Sequence, residues 1–326
     1  MAAALAAALA ATLQALPVFR AFRNGVGSFS DNFVQVYDLV PTHAGELVPS
    51  PVISNQTGVR VLAACCPSRL ADVGHGGPSL LMAAGQAEYD GQMENALIAL
   101  QLNTSGTFEA LYSGGLRTKP LGGVQVSPTE RLVFAIGNEP DPSKVVKAYA
   151  MSFGGGDISA TGAQANRSRS SSSSDPAAVS AYDPSSGKIY FGAPSIFTFD
   201  TVSNTMWRGT ATTEGQIGAL AVDADGKLHA LITDSSGART RIGTIDPSTG
   251  SFNATAELRD ADYSGAPIVC SFDGVQKEWW LFANAATHGG VHRLQRLDVT
   301  TGTVLGSYLL ADDLWLPHGC VLWPPV

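Results

Sequence analysis

Short apolar stretches separated by polar turns recur along this chain with a period of about 48 residues. In the clearest copy, residues 217–258, the strings IGALAVD, KLHALI, RTRIGTID and SFNATAEL follow one another. Side chains that alternate between a buried and a wet surface mark β-strands, whose period is two. The intervening ADG, TDSSGA and PSTG are rich in Gly, Asp and Ser, which accept the backbone angles of tight turns. Each period therefore predicts four antiparallel strands. The first strand recurs at residues 59–66, 122–127, 178–183, 218–223, 267–273 and 319–323. The third strand ends at Asp38, Asn103, Ser152, Asp200, Asp246 and Asp298.

Units of this length cannot bury their faces alone and must stack or form a ring. The first strands are rich in Gly, Ala, Val and Cys, small enough for six strands to converge on an axis. The last copy stops after its first strand, GCVLW, while the chain begins with PVFRAF and FVQVYDL, which read as second and third strands. The expected fold is all-β: a six-bladed β-propeller of four-stranded antiparallel blades, its closing blade shared by the N- and C-termini. Sharing a blade protects sheet edges that would otherwise invite pairing. Residues 17–326 form a single domain on this reading. Residues 154–176, GGGDISATGAQANRSRSSSSSDP, have almost no apolar content and read as a disordered surface insertion.

Hydrophobic residues make up 44% of the chain, enough for a sizeable core, and charged residues 15%. The net charge of −8, with no Lys/Arg run, makes nucleic acid and anionic membranes poor partners. Residues 1–16, MAAALAAALAATLQAL, have the length of a signal peptide's apolar region and are too short to span a bilayer. Asn-x-Ser/Thr sequons at Asn55, Asn103, Asn166 and Asn253 agree with secretion and glycosylation. The four cysteines show no zinc spacing. Cys65, Cys66, Cys270 and Cys320 read by default as small buried hydrophobes. Cys270 and Cys320 occupy the same repeat position in adjacent units, and a bridge latching the closing blade is the alternative.

The strings AVDADGKLHAL (221–231) and AYDPSSGKIYF (181–191) resemble the six-bladed propellers of the NHL and SMP-30/gluconolactonase-like kind. The sialidase Asp-box, the YWTD string and the WD40 signature do not occur. The resemblance implies a metal site built on an early Glu-Gly-Pro motif; the nearest string here, Asn138-Glu139-Pro140, lacks the Gly. No catalytic residue is carried over.

In such a ring the loops leading into each first strand share one end with those joining second to third strands. On that end Glu214, Tyr263, Trp315 and His318 are the candidate ligand contacts; an aromatic beside carboxylates and an imidazole suits a carbohydrate or small polar ligand. Asn138, Glu139, Glu214 and Asn284 are the alternative, an oxygen-rich set suited to axial calcium. His288 and His292 read as a loop and a strand histidine rather than metal ligands. Asp223-Ala224-Asp225-Gly226 begins like a calcium loop but lacks the distal Glu and reads as a hairpin turn. Trp279-Trp280 read as core. No Gly-x-Ser-x-Gly elbow nominates a nucleophile. The sequence thus points to a secreted, cofactor-free binding module for a carbohydrate, peptide or small polar ligand, or for a protein. The alternative is a calcium-dependent hydrolase of the lactonase or esterase type.

Overall fold

The structure is a computed structural model that describes residues 17–24, 33–52, 54–57, 59–68, 80–89, 91–102, 108–116, 122–127, 132–138, 145–152, 158–166, 179–192, 195–234, 239–258, 268–283, 292–310 and 319–323. The chain opens with β1 (Val18–Asn24), β2 (Phe33–Pro41), β3 (Glu46–Pro49) and β4 (Ser54–Thr57). Five four-stranded antiparallel blades follow. Blade 1 is β5 (Val59–Ser68), β6 (Leu80–Tyr89), β7 (Gln92–Leu102) and β8 (Phe108–Leu116). Blade 2 is β9 (Gly122–Ser127), β10 (Leu132–Asn138), β11 (Val145–Ser152) and β12 (Ser159–Asn166). Blade 3 is β13 (Val179–Asp183), β14 (Lys188–Gly192), β15 (Ser195–Asp200) and β16 (Thr205–Ala211). Blade 4 is β17 (Gln216–Val222), β18 (Leu228–Thr233), β19 (Thr240–Ile245) and β20 (Phe252–Leu258). Blade 5 is β21 (Ile268–Asp273), β22 (Glu278–Ala283), β23 (Arg293–Asp298) and β24 (Val304–Leu310). The last strand, β25 (Gly319–Trp323), returns to pair with β1.

Blade 6 is therefore built from both ends of the chain, in the order β25-β1-β2 that the sequence predicts. Phe19 lies opposite Leu322, and Ala21 opposite Cys320. The six innermost strands touch in succession, β25 to β5, β9, β13, β17, β21 and back to β25, so the ring closes. Among the described residues no helix is long and apolar enough to cross a membrane.

The core lies between blades. Phe134, Ile136 and Ala148 of blade 2 pack on Ile189, Phe199 and Met206 of blade 3. Ala219, Leu231 and Ile242 of blade 4 pack on Trp279, Leu281 and Leu297 of blade 5. Phe19, Ala21 and Leu39 of blade 6 meet Cys270, Phe282 and Leu294 of blade 5. A blade buries both faces this way, which is why its central strands read as near-continuous apolar runs.

The Asp that ends the third strand in blades 3, 4 and 5 has a local cause. In Asp200, Asp246 and Asp298 one carboxylate oxygen accepts from the backbone N–H groups two and three residues on, at 2.7 to 3.3 Å. This short polar side chain closes the turn to the fourth strand.

Three expectations change. Residues 154–176 are not one disordered insertion: Ser159–Asn166 is β12, the outermost strand of blade 2. Its low apolar content misleads because Ala163 and Ala165 alone carry the buried face. Residues 167–178 lie outside the described residues. Among the described residues blade 6 has no single fourth strand; β3 pairs with Leu39–Pro41 of β2 and β4 with Phe33–Val36. β3 also pairs in parallel with β24, merging blades 5 and 6 into one nine-stranded sheet. Finally, Cys270 and Cys320 are disulfide-bonded, with Cα atoms 4.7 Å apart. The bridge ties the inner strand of blade 5 to the C-terminal strand of blade 6.

Candidate functional site

Strand direction alternates within each blade, so the loop into β17 and the hairpin between β18 and β19 share one end of the ring. There Glu214 accepts a hydrogen bond from the Arg241 guanidinium at 2.7 Å, and Arg241 also reaches the Glu214 carbonyl at 3.3 Å. Arg241 lies over the Phe252 ring at 5.8 Å. The Thr233 and Thr240 hydroxyls, 3.1 Å apart, close the adjoining hairpin. Gly215 explains the loop's path: its φ is +139°, and a Cβ would collide with the Thr233 carbonyl. The side chains of Arg241 and Glu214 remain 27% and 39% exposed, so the pair is both fixed and accessible.

Of the other candidate contacts on this end, Tyr263, Trp315 and His318 lie outside the described residues, as do Glu139, Asn284 and His288. Asn138 is the last residue of β10, opposite Val146. His292 precedes β23, and its carbonyl accepts from the Leu310 N–H at 2.9 Å. Among the described residues no group of three or more His, Cys, Asp or Glu side chains is placed to hold a metal ion.

The opposite end carries a charged cluster that sequence reasoning read only as a turn. The turn is there: Asp223 accepts from the N–H groups of Asp225 at 3.0 Å and Lys227 at 2.9 Å. The Asp223 side chain is also fully buried, 2.8 Å from His229 Nε2. Lys277 of blade 5 reaches it at 3.3 Å and Asp225 at 3.0 Å. Burial pushes the Asp223 carboxyl upward, but hydrogen bonds from His229, Lys227 and Lys277 win and lower it to about 2. Lys277 itself sits at a φ of +58°, left-handed backbone, where the equivalent turn of blade 3 has Gly187 at +67°. A lysine tolerates that cost because its ammonium bridges two blades. The Ala224 N–H donates to the Gly274 carbonyl at 3.1 Å across the same seam. The signal for this cluster was the Lys in place of the turn Gly.

The two tryptophans of β22 divide as a strand requires. Trp279 is fully buried against blade 4. Trp280 points to blade 6, its ring centroid 4.9 Å from that of Phe19, and stacks on Tyr308 of its own blade at 5.7 Å. A groove of about 490 Å³ opens between the outer strands of blades 2 and 3, lined by Gln164, Asn166, Met206, Trp207 and Arg208.

No model of a protein family matches the sequence, and no curated protein matches it. Solved structures do. A chain from the crystal structure of a nidogen/laminin complex superposes with a TM-score of 0.59 at 10% identity, over 94% of this chain and 97% of that one. A protein of unknown function from Bacteroides caccae gives 0.55 at 8% identity, over 94% and 98%. A putative 6-phosphogluconolactonase from Bacteroides fragilis gives 0.53 at 10% identity, over 95% and 98%. These likenesses concern the whole ring. At such identities they show the propeller fold, and fold alone assigns no chemistry.

Proposed function

We propose that this chain is an exported binding module whose contact surface is the ring end around Glu214, Tyr263, Trp315 and His318. The observation that carries the reading is the Glu214–Arg241 pair. It presents the Glu214 carboxylate on a loop held by Gly215 beside the Arg241 guanidinium of β19, an arrangement suited to a polar partner: a glycan, a peptide or a protein surface. Rigid, half-exposed polar groups on loops supported by sheets are the usual form of a recognition surface. The same pair weighs against axial calcium, because a cation at Glu214 competes with a guanidinium already 2.7 Å away. The nidogen/laminin likeness is compatible with a protein partner at the level of fold, as the gluconolactonase likeness is with the hydrolase alternative. The narrower NHL and SMP-30 resemblance of residues 181–191 and 221–231 is part of this proposal and bears on the same alternative.

Export is supported by the Cys270–Cys320 bridge, since disulfides persist in oxidising compartments. The experiment is glycan and peptide array binding by the full chain, repeated with Trp315→Ala and Arg241→Ala, alongside melting with and without EDTA. Binding that both variants lose, with melting indifferent to EDTA, supports the module. No binding, together with EDTA-sensitive melting and calcium in the purified protein, overturns it in favour of the hydrolase.

A further inference from the structure

The sequons gain a common feature once the strands are known. Asn55 lies in β4, Asn166 ends β12 and Asn253 lies in β20, the outer strands of blades 6, 2 and 4. Asn103 lies outside the described residues. Asn166 and Asn253 are both exposed. An outer strand presents a row of backbone donors and acceptors to solvent, a template for pairing with another chain. The outer strand of blade 5 is covered in part by backbone: Leu309 lies opposite Glu46 and Leu310 opposite Leu47, and the Leu309 N–H donates to the Gly45 carbonyl at 2.7 Å. Among the described residues β8, β12, β16 and β20 end their sheets with no such added strand, and on β12 the Thr161 carbonyl accepts from Asn204 Nδ2 at 2.6 Å. Of these four, β12 and β20 carry exposed sequon asparagines.

We infer that Asn166 and Asn253 bear N-linked glycans that shield the outer edges of blades 2 and 4. The inference rests on the export proposed above. In the transfer, the Asn side-chain nitrogen forms a bond to the anomeric carbon of an oligosaccharide carried on a polyprenyl pyrophosphate. The bond from that carbon to the pyrophosphate oxygen breaks, the amide gives up one proton, and the lipid pyrophosphate leaves. Thr255, the third residue of the Asn253 sequon, has its hydroxyl 3.1 Å from the Ile242 carbonyl and 3.3 Å from the Val299 carbonyl. In the folded ring that hydroxyl is committed to the blade 4–blade 5 seam, so transfer precedes closure of the seam. A glycan collar on the rim leaves the ring ends, including the Glu214–Arg241 surface, open to partners.

The test expresses the full chain with its own N-terminus in an animal cell line and recovers it from the medium. Glycan release by N-glycanase in heavy-oxygen water, followed by peptide mapping, is expected to label Asn166 and Asn253 as heavy Asp. Enzymatic removal of the glycans from folded protein is expected to raise the weight-average mass in light scattering at least two-fold as concentration rises. Asn166→Gln/Asn253→Gln is expected to behave like the stripped protein. Secreted chain with both asparagines unmodified overturns this inference alone. Modified chain whose mass is unchanged on stripping overturns the shielding role. A chain that stays in the cell and carries no glycan overturns export and this inference together.

Discussion

Cys270 and Cys320, fifty residues apart in sequence, are brought within 4.7 Å at their Cα atoms and joined by a disulfide. Cys320 sits opposite Ala21 of the N-terminal strand, so one short segment connects both ends of the chain to blade 5. Closing a loop of this length restricts the unfolded chain and stabilises the fold by about 2–4 kcal/mol. Peptide mapping without reduction should yield a Cys270–Cys320 cross-linked peptide, and Cys320→Ser should melt several degrees lower. A free thiol at Cys320 contradicts this.

Acid should unfold the protein through its turn carboxylates. Asp223 has its pKa lowered to about 2, and Asp183, Asp200, Asp246 and Asp298 also lie below their ordinary value. The unfolded chain therefore takes up protons first. Stability is full above the unfolded value near 4 and falls as pH drops toward 2. Asp223 alone accounts for roughly 2 kcal/mol over that window. Melting curves from pH 6 to pH 2 check it: Asp223→Asn should be less stable than wild type at pH 6, with the difference shrinking toward pH 2. A constant difference contradicts the assignment.

Lys277 should reveal the conflict between backbone and charge. Lys277→Gly relieves the left-handed backbone but removes the ammonium from Asp223 and Asp225; Lys277→Ala removes the ammonium and keeps the strain. The expected order of melting temperature is wild type, then the Gly variant, then the Ala variant. An Ala variant as stable as the Gly variant contradicts the strain argument.

The paired tryptophans should respond unequally. Trp279→Ala opens a cavity between blades 4 and 5 and should cost about 3–5 kcal/mol. Trp280 is half-buried, so its truncation should cost less, through lost stacking on Phe19 and Tyr308. Chemical denaturation of each variant measures the difference; equal losses contradict the placement.

Where strands alternate apolar and polar positions, the chain can be read directly. The first strands, the Asp-closed turns and the sharing of blade 6 by GCVLW, PVFRAF and FVQVYDL all follow from that pattern and from turn chemistry. β12 was hidden because alanines suffice to pack its inner face. β3 and β4 were hidden because Pro49, Ser50 and Pro51 interrupt the alternation, and β3 gains its second partner, β24, from the far end of the chain. The site was half legible. Glu214 could be placed on the loop end from the repeat alone, but its partner Arg241 is 27 residues away and pairs with it only because the hairpin folds back. The Asp223–Lys277 link spans two blades, and no local pattern announces such a contact.

Amide hydrogen exchange of the C-terminal strand tests the closed ring most directly. If β25 is an inner strand paired with β1, peptides covering Gly319–Trp323 should exchange as slowly as those covering Val18–Asn24, over hours rather than seconds. Complete exchange of the C-terminal peptide within seconds, beside a protected β1, would contradict a blade shared by the two termini.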